Sequence, residues 1–347
     1  MLQQTTTLKQ RWEELKSENT HLRIRNAADQ LGVSEAELLL TNIGKGVTRL
    51  KNEVAQILPE VETLGKVMAL TRNESCVHER KGIYKNSDFS SPYGAVFVGD
   101  DIDLRIFPTH WKHAFAVTEG DRKSLQFFGK DGLAIHKIYL TNQSDVQAYE
   151  NLVEKYKSED QSDVFIAEEV AAKPVEKPDS EIEVAEFQES WRNLQDTHHF
   201  FGMLRKYGVS RLQALRLAPD AQFARKINNE AVVSLLEKSA EQNLPIMVFV
   251  GNRGNIQIHT GPVRKTLWHG TWFNVMDPDF NLHLNTVDIA ETWVVRKPTE
   301  DGMVTAVEVF NKEGEIIVQF FGKRKPGHPE LDAWRTLVTD LERDFNQ

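Results

Sequence analysis

The sequence predicts an α+β fold that arose by tandem duplication of one domain. Three observations predict it: segments of the first half recur in the same order in the second, each half runs from helical patterns into strand patterns, and an acidic stretch separates the halves. Helices and strands come in separate runs and do not alternate, so a doubly wound parallel sheet is not expected.

The duplication rests on four pairs of similar segments. RWEELKSENTHLRIRNAADQLGVSEAEL near the start parallels SWRNLQDTHHFFGMLRKYGVSRLQAL, and both run from a tryptophan to Gly-Val-Ser. The remaining pairs are KVMALTRNESCVHERKG and PIMVFVGNRGNIQIHTG, DIDLRIFPTHWKHAFAV and DFNLHLNTVDIAETWVV, and KSLQFFGKDGLAIHKIYL and TAVEVFNKEGEIIVQFFG. Two copies with a long period indicate a duplicated domain and exclude a solenoid.

Each half is expected to hold antiparallel hairpins and a closing helix. Segments such as NIQIHTG and TAVEVF alternate apolar and polar residues, and Asn-Arg-Gly, Lys-Asp-Gly and Lys-Glu-Gly mark the turns. SDVQAYENLVEKY and HPELDAWRTLVTDLERDF are the closing helices. Residues 158–183 contain nine acidic residues and two prolines with little periodicity, which is typical of a linker. The predicted domains are therefore residues 1–157 and 184–347.

Composition excludes several classes of function. The net charge of −9 argues against a broad electrostatic grip on nucleic acid or anionic membrane. The single cysteine, Cys76, excludes an intramolecular disulfide framework and cysteine-based metal centres, and it is expected to be an inert buried thiol. No apolar run reaches the length of a membrane span, and the first residues do not resemble a signal peptide. A cytoplasmic protein without membrane insertion is expected.

The stretch DTHHFF raises the question of which histidine carries chemistry. If the helix runs on from Trp191, then Trp191, Leu194, His198 and Phe201 share one face, so His198 is expected to point inward and His199 outward. An inward histidine could be a core residue bonded to a carbonyl or a metal ligand, and the helical phase does not distinguish the two. The neighbours are aromatic and supply no further ligands for a lone zinc ion. Haem brings its own four nitrogens and needs one protein ligand and apolar walls.

The chain resembles the cytoplasmic haem-handling proteins of bacterial haem uptake, the hemin-degrading or HemS/ChuS/PhuS-type family. The residues that carry the resemblance are WRNLQDTHHFF, MVFVGNRGNIQIHTG, WVVRKPTEDGMVTAVEVF and IIVQFFGKRK, with VMALTRNESCVHERKG and DIDLRIFPTHW in the first half. It covers nearly the whole chain apart from the linker. VMALTRNESCVHERKG makes it most similar to the pseudomonad-type branch.

The resemblance implies one haem b per chain, bound in a cleft between the halves. It implies that His198 is the proximal iron ligand, with the neighbouring His199 as a possible substitute, and that Arg105 approaches the opposite face of the haem. Arg105 could equally be a solvated arginine on the polar face of a strand. Other pocket residues implied by the family are Phe107, the propionate partners Arg211 and Lys297, and the wall residues Met247, Phe249, Gln319 and Phe321. By alternation, each pair of wall residues shares one face of its strand.

Two functions follow from the resemblance and are left open here. The first is a haem chaperone that takes haem arriving through an inner-membrane importer and delivers it to a separate haem oxygenase for iron release. The second is a haem-degrading enzyme that opens the porphyrin ring itself. No residue of the chain is assigned as a catalytic acid, base or nucleophile.

Overall fold

The computed structural model describes residues 6–91, 94–171, 174–324 and 327–346. The chain forms two compact units, and each takes a short segment from the other half of the sequence. Unit 1 comprises Met1–Thr71, Arg80–Ala171 and Asn252–Ile256. Unit 2 comprises Arg72–Glu79, Ala172–Gly251 and Gln257–Gln347.

The first half of the chain contains five α-helices and nine strands within the described residues. The helices are α1 (Leu8–Glu18), α2 (Ile24–Leu31), α3 (Glu35–Leu40), α4 (Val54–Glu60) and α5 (Val146–Tyr156). The strands are β1 (Val47–Leu50), β2 (Gly65–Arg72), β3 (Cys76–Gly82), β4 (Ser87–Asp88), β5 (Ala95–Val98), β6 (Asp103–Ile106), β7 (His113–Glu119), β8 (Arg122–Phe128) and β9 (Ala134–Ser144).

The second half repeats this content over the residues that the structure describes. Its helices are α6 (Val184–Arg192), α7 (His199–Tyr207), α8 (Arg211–Arg216), α9 (Ala231–Glu241) and α10 (Asp332–Asp344). Its strands are β10 (Ala224–Ile227), β11 (Ile246–Gly251), β12 (Asn255–Gly261), β13 (Thr266–His269), β14 (Trp272–Met276), β15 (Phe280–Asn285), β16 (Glu291–Thr299), β17 (Gly302–Phe310) and β18 (Ile316–Gly322).

Strand pairing confirms the predicted α+β duplication. In the first half the strands pair antiparallel in the order β1-β7-β8-β9-β2, with a smaller ladder β4-β5-β6. In the second half the order is β10-β16-β17-β18-β11, with a smaller ladder β13-β14-β15. The two series match strand for strand. The predicted closing helices are α5 and α10.

The larger sheet of unit 2 has two differently covered faces. One face packs under α9 and α10 in a fully apolar core that includes Leu235, Leu236, Val307, Phe320, Trp334 and Leu337. The opposite face packs under α6, α7 and α8 around Trp191, Phe200, Leu204, Leu215, Trp293 and Phe310. Along β11, buried residues alternate with half-exposed ones. The half-exposed residues lie on the second face, so helices α6, α7 and α8 do not fully cover that face at β11. No helix among the described residues is long and apolar enough to cross a membrane.

The predicted linker packs against both units at its two ends. On unit 1, the guanidinium of Arg49 donates to the carbonyls of Ser162 and Val164 at 3.0 and 2.9 Å, and the ring of Phe165 lies 4.7 Å from that of His113. On unit 2, the buried Gln213 donates to the carbonyl of Lys177 and the carboxylate of Asp179 at 2.7 and 2.8 Å. Side chains of the folded units therefore satisfy polar groups of these parts of the segment. The predicted boundaries at residues 157 and 183 stay predictions.

Replacing Gln213 with alanine is expected to loosen the part of this segment that precedes α6. The buried amide supplies both donors, so its loss leaves a carbonyl and a carboxylate without their partner and costs about 1–3 kcal/mol of unfolding free energy. Urea unfolding measures the loss, and limited proteolysis should show faster cleavage within residues 174–183. The exposed Gln242 provides a matched control, Gln242→Ala, which should change neither quantity. Unchanged stability and cleavage in Gln213→Ala would show that these bonds do not hold the segment.

Candidate functional site

The segment around His198 is not the continuous helix expected from the sequence. Helix α6 ends at Arg192 and α7 begins at His199, and the residues between them form a turn. Asp196 lies in this turn, and its carboxylate accepts a hydrogen bond from the backbone N–H of His198 at 2.8 Å. Such a bond to the backbone two residues on competes with helical hydrogen bonding.

The break corrects the predicted orientation of these side chains. His198 does not point inward: its side chain is 85% exposed, and His199 is exposed as well. Phe201, which the helical phase placed on the buried face, is 64% exposed, whereas its neighbour Phe200 is 1% exposed. The apolar face of α7 is therefore set by Phe200, Met203 and Leu204. The interpretation of His198 as a core histidine is excluded.

The imidazole of His198 is held by one nitrogen and presents the other. Its Nδ1 lies 2.7 Å from Oδ1 of Asp196. Hydrogen bonding to His198 lowers the pKa of the Asp196 carboxyl, so Asp196 is an ionised acceptor and Nδ1 carries the hydrogen. The lone pair of Nε2 is then directed away from Asp196. Histidines that bind metals commonly donate their second ring N–H to a carboxylate in this way.

The four predicted wall residues lie on one face of the unit 2 sheet. Met247 pairs with Phe321 and Phe249 with Gln319 across β11 and β18, and directly opposed residues point to the same side. All four are half-buried, and the rings of Phe249 and Phe321 lie 4.8 Å apart at 51°. The next strand, β17, places Glu308 opposite Gln319. The face that carries the predicted walls therefore continues into the face under α7.

A buried ionic cluster joins this face to the start of α7 and α8. Arg211, the first residue of α8, binds Glu308 with both sides of its guanidinium, Nε at 2.7 Å and Nη2 at 2.5 Å. The ammonium of Lys297 donates to the same carboxylate at 3.1 Å. Both cations lie over the ring of Phe200, at 5.2 Å for Arg211 and 4.5 Å for Lys297. Two cations against one carboxylate leave the cluster with one positive charge.

The cluster shifts the pKa values of Lys297 and Glu308. Burial lowers the pKa of Lys297 to about 8, with Glu308 opposing the shift and Arg211 adding to it. Burial by itself would raise the pKa of Glu308, but Arg211 and Lys297 outweigh it and lower the pKa to about 2. Glu308 is therefore ionised, and Lys297 is mainly protonated at neutral pH. A second acid that approached would meet an excess of positive charge.

Sequence reasoning missed Glu308, Phe200 and Arg324. Glu308 lies within the strand pattern TAVEVF and was assigned no role, yet it is completely buried and binds both predicted propionate partners. The pattern carries a signal, because a lone acid in an otherwise apolar strand is seldom buried without a cation. Arg324, just beyond β18, has a buried guanidinium nitrogen, Nη1, with no hydrogen-bond partner among the residues that the structure describes. Such an atom is a donor available to an anionic ligand.

Arg105 and Phe107 belong to unit 1. Arg105 lies on β6, opposite Val96, and its half-exposed guanidinium forms an ion pair with Asp103 and donates to the carbonyl of Leu104 at 3.1 Å. Burial raises the pKa of Asp103, with Arg105 acting to lower it. The half-buried Phe107 donates its backbone N–H to the carbonyl of Gly254 at 2.9 Å. The guanidinium of Arg105 is therefore partly exposed and partly paired. Its approach to the haem face opposite His198 stays a prediction.

No group of three or more His, Cys, Asp or Glu side chains in the described part of the chain could hold a metal ion. Cys76 is fully buried, and burial raises the pKa of its thiol. The prediction of an inert buried thiol is confirmed. His198 offers a single nitrogen donor, which suits a ligand that brings the other donors itself.

The chain is a duplicated α+β protein with an exposed histidine near its second repeat's helical layer. Comparison with known proteins shows the family to which it belongs. The model for the haemin-degrading HemS/ChuX domain matches twice, over residues 32–156 and 208–341. The chain is 37% identical over 330 residues to hemin transport protein HemS of Yersinia enterocolitica, with 94% of each chain covered. This chain belongs to the HemS/ChuX family, as its motifs predicted.

Solved structures of relatives agree along nearly the whole chain. Holo-PhuS, a heme-binding protein from Pseudomonas aeruginosa, is 46% identical with a TM-score of 0.94, covering 96% of this chain and 98% of that one. ChuS, a heme degrading enzyme of Escherichia coli O157:H7, is 32% identical with a TM-score of 0.89, covering 96% of this chain and 98% of that one. Of these two, the pseudomonad protein has the higher identity, as the predicted branch requires.

Proposed function

We propose that this protein is a cytoplasmic haem carrier that binds one haem b through Nε2 of His198 and passes it to a separate haem oxygenase. The observation that carries the proposal is the exposed imidazole of His198, held at Nδ1 by the ionised Asp196. A histidine that is fixed at one nitrogen and open at the other is preorganised to bind iron. The importer and the oxygenase enter as proposed partners through the family.

The residues of unit 2 suit the two chemically different parts of haem. The half-buried Met247, Phe249 and Phe321 offer apolar surface for the flat ring, and the exposed ring of Phe201 adds to it. The propionates need positive charge, which the cluster of Arg211, Lys297 and Glu308 supplies in excess of its own carboxylate. Arginine and lysine are both established partners for carboxylates.

A single haem per chain is supported by the inverted charges of the first repeat. Glu35 follows Ser34 at the start of α3, as Arg211 follows Ser210 at the start of α8. Glu35 forms a buried ion pair with Lys137, which lies opposite Gln126 as Gln319 lies opposite Glu308. One cation and one carboxylate cancel, so this pair has no charge to spare for a propionate. Within the described residues of the equivalent region, the exposed His21 donates its backbone N–H to the side-chain oxygen of Asn19, which is an amide and not an acid.

The second candidate function is ring opening by the protein itself. The name of the family and the solved relative ChuS, a heme degrading enzyme, favour this alternative. The carrier is favoured by the higher identity to holo-PhuS, which is described as a heme-binding protein, and by the hemin transport proteins among the relatives. Turnover in the presence of catalase separates the two, because catalase removes the peroxide that bleaches exposed haem without an enzyme.

Arg105→Ala tests the proposed distal group and separates the two functions. Arginine stays protonated and can only donate hydrogen bonds, here to a ligand on the iron. A carrier should lose haem about tenfold faster at most, since one such bond is worth about 1.4 kcal/mol or less, and should show no multiple turnover with or without Arg105. Stopped-flow transfer to apomyoglobin measures haem loss, and biliverdin formation with a reductase and catalase measures turnover.

Arg80 supplies the control for this experiment, because it also forms an ion pair in unit 1, with Asp101. Arg80→Ala should match the unmodified protein in both measurements. If the unmodified protein produces a ring-opened tetrapyrrole over many turnovers with catalase present, and Arg105→Ala reduces that yield strongly, the protein is an enzyme and the carrier proposal is wrong.

A further inference from the structure

Helix α7 contains a glycine, Gly202, that neither the backbone conformation nor the packing of the protein requires. Gly202 lies in the middle of α7 and is exposed. Its φ is negative, as in the rest of the helix. A Cβ atom built there would meet no heavy atom within 4 Å. Glycine inside a helix destabilises it relative to alanine, so this position gives up stability without a packing benefit in the protein alone.

The place of Gly202 on the helix is related to that of His198. His198 has helical backbone angles, φ −68° and ψ −27°, so the helical spacing extends back to it. Residues four apart lie on the same face of a helix, one turn from each other. Gly202 is four residues after His198 and is flanked by the exposed Phe201. The side of α7 that presents the imidazole is therefore bare of side-chain atoms one turn further on.

We propose that Gly202 is a positioning residue that keeps this side of α7 clear for the flat ring of an iron porphyrin bound through His198. This inference rests on the proposed function and deepens it. A porphyrin is wider than the helical pitch of about 5.4 Å, so a ring centred on His198 extends over the following turn. A side chain at position 202 would stand between the ring and the helix, while Phe201 packs beside the ring.

The inference predicts opposite effects of Gly202→Ala on stability and on binding. Alanine should raise the midpoint of thermal unfolding, since it favours the helix and meets nothing in the protein. Gly202→Leu should bind haem about tenfold to a hundredfold more weakly, because a side chain forced into a filled contact commonly costs that much, and Gly202→Ala should lie between. Haem titration at the Soret band measures affinity, and scanning calorimetry of the haem-free protein measures stability.

Glu237, an exposed residue in the interior of α9, supplies the control. Glu237→Leu adds the same side chain to a helix of the same unit and should leave haem affinity unchanged. If Gly202→Leu bound haem with the affinity and spectrum of the unmodified protein, the inference would be wrong. The same result is expected if the bare surface binds a protein partner and not haem. Failure of the unmodified protein to bind haem would instead refute the proposed function, so the two failures are distinguishable.

Discussion

His198→Ala is expected to abolish the native haem spectrum of this protein. The imidazole of His198 is the one that Asp196 holds at Nδ1, so its removal takes away the preorganised nitrogen ligand and leaves the apolar and ionic contacts. Haem should still associate, but more weakly and with Soret and visible bands of altered ligation. Spectral titration with haem, followed by transfer to apomyoglobin, measures both.

His199→Ala is the matched control for that result. His199 is also exposed, and within the described residues no hydrogen bond to a carboxylate orients its side chain, so its loss should change the spectrum little. Since the two residues are adjacent, His199 can replace the missing ligand after a small rotation, and the double variant should lose any remaining histidine ligation. Loss of the native spectrum in His199→Ala alone would contradict the assignment.

Glu308→Ala is expected to destabilise the protein by about 3–5 kcal/mol, the usual cost of removing one partner of a buried ion pair. Glu308 is completely buried and binds Arg211 and Lys297, so alanine leaves two cations facing each other in the interior. Lys297 should respond by releasing its proton, since Glu308 is the group that raises its pKa against burial. Urea unfolding of the haem-free protein measures the loss of stability.

The pH dependence of the unfolding free energy gives a second test of Glu308, with the variant Glu308→Gln. In the native cluster Glu308 has a pKa lowered to about 2, below its usual value, so its contribution to stability is present above pH 4.5 and is lost as the pH falls toward 2. Glu308→Gln should remove this part of the acid sensitivity. Glu313, an exposed acid paired only with the exposed Lys312, gives the control Glu313→Ala, which should change stability by less than about 1 kcal/mol. Equal stability of Glu308→Ala and the unmodified protein would show that the cluster does not support the fold.

Much of the fold was predictable because the signals are local and occur twice. Alternation in β11 and β18 placed Met247, Phe249, Gln319 and Phe321 correctly in pairs, since neighbouring residues of a strand must point to opposite faces. The alternation did not predict that β11 and β18 pair with each other. That pairing places both pairs of residues on one face of the sheet. The same limit applies to Glu308, whose two cations come from α8 and β16.

The break before α7 shows where periodicity misleads. Trp191, Leu194, His198 and Phe201 have helical spacing, but the spacing says nothing about a carboxylate that captures a backbone N–H. Helix α6 ends at Arg192, and after the turn that contains Asp196, α7 begins with Phe200 buried and His198 exposed. The inward orientation of His198 expected from helical phase is wrong, and its role as the iron ligand stays a prediction.

The duplication, the α+β class and the family could be read from the sequence, because these depend on the order and type of residues along the chain. The motif also pointed to His198. The exposure of His198, the sharing of the buried Glu308 by Arg211 and Lys297, and the docking of parts of the acidic linker became known from the folded structure. Burial and charge pairing depend on residues distant in sequence, which come together when the strands and helices pack.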